Sequence, residues 1–174
     1  MPTKTCQPGS RPLFVLFNFF LDLCLLRTRP QDLPASPVLL RLLVILAVLV
    51  NLTLVGGRGG LWAALGESLA EVALMLAVLY VALDRYGHPG RFTQTASALL
   101  GTGVVMGLIA LPLSGLGGGL AALALLALLA WNILVMGHIL RHAFDIGLAL
   151  ANFAALGYTF FSYSLLSILF PAGA

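Results

Sequence analysis

LWAALGESLAEVALMLAVLYVAL, residues 61–83, is long enough to cross a bilayer as a helix, yet it carries two carboxylates. Glu67 and Glu71 are four residues apart and share one helix face. At 1.5 Å per residue, Glu67 lies roughly 9 Å and Glu71 roughly 15 Å from the Leu61 end, which puts Glu71 near the middle of a hydrocarbon core about 30 Å thick. A carboxylate there costs about 3 kcal/mol or more on insertion scales, so both side chains should turn from lipid toward other helices or toward water. The rest of the chain has to supply that shelter.

Its composition suits the task. Apolar residues make up 60% and charged residues 9% of 174 positions, against roughly a quarter charged in soluble domains. Mean hydropathy is +1.05. The fold class read from this is all-α: a polytopic membrane protein, with a five-helix transmembrane bundle and an N-terminal interfacial helix. The net charge of +3 comes from basic residues placed in loops between apolar segments, as membrane topology requires, and no nucleic-acid partner is read from it. Cys6 and Cys24 fall on the side assigned below to the cytoplasm. Neither has a CxxC or metal-type neighbour, so they read as two free thiols.

Residues 1–36 form a cytoplasmic N-terminal segment and residues 37–174 a single transmembrane domain. The polar, proline-broken lead MPTKTCQPGSRP reads as disordered. LFVLFNFFLDLCLL, about 13–26, is too short for a full crossing at roughly 21 Å. Arg11, Asn18, Asp22 and Arg29 line one side of it, which suits a helix lying in the membrane surface. A secretory signal is the competing reading, weakened by Asn18 and Asp22 within the apolar run. RTRPQDLPASP is a connector. The spans expected are about 38–56, 61–83, 93–114, 120–140 and 146–170, joined by GGRGG, DRYGHPGRF, the uncharged turn LSGLGGG and the loop Arg141–Asp145. If the first two spans form an antiparallel hairpin, Asn51 sits at a depth comparable to the two glutamates, and is their first candidate partner. Gly103 and Gly107 form a GxxxG in the third span; Gly147, Ala151, Ala155 and Thr159 repeat every four residues in the fifth, and both read as packing faces.

Lys4, Arg11, Arg27, Arg29, Arg41, Arg85, Arg91 and Arg141 all fall on one side of such a layout, and Arg58 alone on the other. The positive-inside rule then puts the N-terminus in the cytoplasm and the C-terminus outside. With minimal loops and no eukaryotic targeting tail, the expected location is a bacterial inner membrane.

This layout resembles the Yip (Ypt-interacting protein) domain family in its short bacterial form. The residues behind the resemblance are Arg91-Phe92-Thr93-Gln94-Thr95 entering the third span, Trp131 with Gly137 six residues on, and Asp145-Ile146-Gly147 with Ala151 opening the fifth; it covers roughly Val38 to Phe170. The resemblance implies a non-enzymatic integral membrane protein that organises membranes or partner proteins. Eukaryotic members carry an acidic Asp-Leu-Tyr-Gly-Pro type motif tied to small-GTPase binding. Here only Asp32-Leu33-Pro34 stands in that region, without the tyrosine or the glycine, so that binding is not implied.

Three sets of residues offer chemistry. Glu67, Glu71 and Asn51 form an intramembrane polar site: either a cation or proton site, since two neighbouring buried carboxylates share a proton, or a polar clasp that locks helices together. His138 and His142, four apart on one helix face, have the spacing of a helical HxxxH. No HExxH is present, and histidines at a helix C-terminus commonly face headgroups, so no metal and no cofactor is expected. Trp131 and Asn132 near mid-helix and Asn152 in the last span read as packing and cross-helix hydrogen bonding. The chain lacks a GxSxG elbow and a P-loop. The expected function is a membrane-organising scaffold or assembly factor whose partners are the bilayer and other membrane proteins or a second copy. The alternative is a small oligomeric transporter or channel using Glu67 and Glu71.

Overall fold

The computed structural model describes residues 12–55 and 60–171; Cys6, Arg11 and Arg58 lie outside them. Six α-helices follow one another: α1 (Pro12–Cys24), α2 (Pro37–Val55), α3 (Leu61–Arg85), α4 (Phe92–Leu116), α5 (Gly118–Phe144) and α6 (Leu148–Leu169). No strand occurs among the described residues. The five helices α2 to α6 are long and apolar enough to cross a membrane. In hydrocarbon a helix is the form in which one segment satisfies all its own backbone groups, so runs of leucine, alanine and valine of this length settle into it.

The helix ends are cut by local chemistry. Ser36 opens α2 as its N-cap, its Oγ accepting from the Leu39 N–H at 3.4 Å, with Pro37 at the first helical position where its missing N–H costs nothing. Three helices end on a left-handed residue. The Arg27 N–H returns to the Asp22 carbonyl past Leu26 (φ 61°), that of His88 to Leu83 past Gly87 (φ 77°), and that of Ile146 to Arg141 past Asp145 (φ 53°). These six-to-one bonds are the Schellman closure, which glycine fits without strain and leucine does not.

Two expected loops are shorter than the sequence suggested. The turn placed at Leu113–Gly119 shrinks to Gly117 (φ 63°), because α4 runs through Pro112 to Leu116 and α5 starts at Gly118 (φ 81°). A late proline gives up one backbone bond but does not stop a membrane helix. The loop placed at Arg141–Asp145 is likewise helical as far as Phe144, leaving Asp145 to Gly147 as the reversal.

The helices close a ring in the order α3, α2, α4, α5, α6, with α6 returning to α3. At one end, called here the basic end, lie Arg27, Arg29, Arg85, Arg91 and Arg141. That half is solid. Every residue of α4 from Thr95 to Thr102 is buried, and Leu79, Leu83, Val135 and Ile139 close around it. α1 lays Phe20, Leu23 and Cys24 against this half and leaves Asn18 exposed, but Asp22 is half-buried and Val15, Phe17 and Leu25 are exposed as well. Phe20 fits over Gly101, about 14 Å along α4 from Phe92 at 1.5 Å per residue, so α1 reaches well below the helix ends.

Candidate functional site

The opposite half of the ring holds a half-open cavity of about 700 Å³. It runs from the level of Val55, Ala63 and Phe170 down to Met75 and Met136, a depth of about 18 Å along α3 from the helical rise. Helices α2 to α6 all contribute to its wall. α4 presents Gly103 to it, with nothing within 4 Å of where a Cβ would stand, whereas in the solid half Phe20 fills the space over Gly101 and Asn152 that over Gly137.

Glu67 and Glu71 both line this cavity, on the α3 face next to the buried row Ala64, Ser68 and Val72, with the Ser68 hydroxyl donating to the Ala64 carbonyl of its own helix. Asn51 of α2 reaches across, its Nδ2 donating to Glu71 Oε2 at 3.0 Å. The structure therefore brings together the three polar residues singled out in the sequence. It adds two that were not: Tyr158 of α6, beside Ser162 one turn on and within electrostatic range of Glu71, and Ser162 itself. Their i, i+4 spacing was a signal, hidden in a helix whose small residues read as packing alone. Thr102 and Thr159 also border the space, but their hydroxyls donate back to the Ala98 and Ala155 carbonyls of their own helices at 2.9 and 2.8 Å. Asn132 lines the deep end. No lysine, arginine or histidine contributes to the described wall.

No family model matches the chain, and no curated protein or solved structure does.

The packing residues divide differently from the sequence motifs. Gly107 lets α2 approach, its Cα facing Val50, and Ala151 and Ala155 are fully buried. Gly103 faces the cavity, and Gly147 is the N-cap of α6 with open space around it, so neither brings two helices together. The close approaches missed in the sequence are at Gly101, under Phe20, and at Gly137, against Asn152.

The histidines lie at the basic end, away from the glutamates. His138 and His142 stack edge to face with ring centroids 4.8 Å apart, and His138 Nε2 is 3.2 Å from the Thr28 carbonyl. No group of three or more histidine, cysteine, aspartate or glutamate side chains among the described residues is arranged to hold a metal ion. The pair instead helps to moor the connector. Gln31 Nε2 donates to the His142 carbonyl at 3.1 Å, Gln94 Nε2 to the Leu33 carbonyl at 2.9 Å, and Trp131 Nε1 to the Cys24 carbonyl at 3.0 Å. Trp131 at mid-helix thus closes one of the carbonyls that α1 leaves open at its end. Arg91 bonds Asp145 at 2.7 Å and the Ala143 carbonyl at 3.1 Å. Its hydrogen bond holds the Asp145 carboxyl below the usual carboxylate range. Burial pushes the free Cys24 thiol up to about 11, which leaves it unreactive.

Proposed function

We propose that the protein is a small carrier or receptor of the bilayer that admits a cation-bearing ligand to the interhelical cavity, with Glu67 and Glu71 as the anionic anchor. One observation carries this reading: the described wall of the cavity holds two carboxyl groups and no basic side chain. An occupant brings the balancing charge, or protons stand in for it. The solid basic half favours uptake and release over free conduction. Replacing both glutamates by glutamine tests it. Loss of cation flux or binding in proteoliposomes, with thermal stability retained, supports the reading; lost stability with flux unchanged refutes it.

A second reading, the membrane-organising scaffold or assembly factor that the Yip-like layout implies, is favoured by α6. That helix exposes Phe153, Phe160 and Tyr163 at spacings of seven and three, a ridge along one face that suits a partner helix. Affinity purification in mild detergent, comparing the native chain with Phe153→Ala/Phe160→Ala, tests it by whether a stable partner is lost. On either reading the protein is not an enzyme, and we place it in a bacterial inner membrane with the basic end in the cytoplasm. Reporter fusions at both termini test that orientation.

A further inference from the structure

We propose that the ligand is a single-tailed amphiphile with a cationic amine head, drawn from the lipid phase through the seam between α3 and α6. This rests on the cation-binding reading above and adds the chemical class and the route. The first support is size. A cavity of about 700 Å³ is far larger than a bare ion needs and falls in the range of roughly 300–1,000 Å³ that holds small organic ligands.

The second support is the division of the wall. Glu67 and Glu71, one turn apart on α3, form a polar corner with Asn51 and Tyr158, while Met75, Met106 and Met136 contribute to the remainder with leucines and valines. Side chains four apart on a helix have Cβ atoms about 5–6 Å from each other, the span across which one ammonium can donate to two carboxylates. A primary ammonium has three N–H donors, which leaves one for the Tyr158 oxygen or for Asn51 Oδ1. The thioethers, Met75 one turn beyond Glu71 on α3 and Met106 and Met136 on α4 and α5, are flexible and polarisable, and suit an apolar body without a fixed shape.

The third support is the route. Around the ring, α3 and α6 touch more sparsely than any other adjacent pair. At that seam α3 offers Gly66 under the Phe170 ring, and Glu71 stands near Tyr158. A tail lying in such a seam stays in hydrocarbon while the head reaches the carboxylates. Entry there requires the Phe170 ring over Gly66 to swing aside, and this seam is the loosest point in the ring at which that can happen.

Native mass spectrometry of the whole chain released from nanodiscs tests this, with dodecylamine, dodecanol or dodecanoate at equal mole fraction and, separately, ethylammonium in the buffer. Because each charge-assisted hydrogen bond contributes about 1.5 kcal/mol or more, dodecylamine adducts should exceed those of dodecanol and dodecanoate by about tenfold. They should also exceed ethylammonium adducts and fall to the dodecanol level in Glu67→Gln/Glu71→Gln. Dodecanol binding as well as dodecylamine overturns the amine head, and ethylammonium binding as well overturns the tail and the lipid route while leaving cation binding intact. If neither cation binds, or if binding ignores the glutamates, the cation reading fails with it. The comparison of ligands on the native chain decides the first two outcomes even if the double variant misfolds.

Discussion

Gly103 and Gly107 are one turn apart and read alike in the sequence, yet a methyl group added at each should behave differently. At Gly107 the new Cβ would run into Val50 Cγ1 on α2, with Leu54 Cδ1 next at 3.7 Å. At Gly103 it would meet nothing within 4 Å. Overpacking of a tight contact costs about 1–3 kcal/mol. At 2–4 °C per kcal/mol for a chain of this size, Gly107→Ala should lower the unfolding midpoint by about 2 to 12 °C. Gly103→Ala should change stability by no more than about 1 kcal/mol, the scale of the alanine-over-glycine preference in a helix, and so move the midpoint by about 4 °C at most. Val50→Ala removes the clashing methyl, so the double variant Val50→Ala/Gly107→Ala should be more stable than the two single losses sum to, by about 0.5 kcal/mol or more. The assay is the temperature at which half the detergent-purified protein still elutes as a monodisperse peak. Equal losses at the two glycines, or strictly additive losses in the double variant, would refute the placement of α4 against α2.

Three other outcomes follow from contacts described above. Asn51→Leu should destabilise the bundle by about 1 kcal/mol, within the range for interhelical hydrogen bonds in membranes, whereas Glu71→Gln, which keeps an oxygen for the Asn51 amide, should cost less; the same elution assay ranks them. Asp145 titrates below its unfolded value because of Arg91, so its contribution is present above the unfolded pKa of about 3.9 and is lost as pH falls through the lower folded value. The stability gap between the native chain and Asp145→Asn should therefore be open at neutral pH and close in acid, as read by thermal unfolding across a pH series. Leu26→Gly relieves about 1–2 kcal/mol of strain in a leucine held at φ 61° but removes a half-buried side chain packed on the core, so it should cost less than Leu23→Gly, whose side chain is fully buried without that strain; thermal unfolding of the two variants ranks them.

The five crossings were legible because each is a run of apolar residues ended by charge, glycine or proline, and those rules act on the local sequence alone. Asn51 facing Glu71 was legible for a related reason: a short hairpin fixes relative depth, and a buried carboxyl at that depth needs a donor. What the sequence did not reveal depends on which side of a helix faces which neighbour. Gly101, Gly103 and Gly107 differ only in what stands opposite, and only the ring order of helices decides that Phe20 and Val50 fill the space at two of them. The hydrogen bond from Trp131 to Cys24 joins residues more than a hundred positions apart, with no periodicity to announce it. Tyr158 and Ser162 were concealed by the small residues around them. The two overlong loops have separate causes: the glycines of 113–119 are tolerated inside membrane helices, and Arg141 and His142 sit in the last turn of α5, where basic side chains suit the helix C-terminus.

The link between α4 and α5 is Gly117 alone, with no charged residue from Phe92 to Leu140. No charge at that bend resists passage through hydrocarbon. α4 and α5 can therefore enter the membrane together as one hairpin, joining α2 and α3, which precede them in the chain.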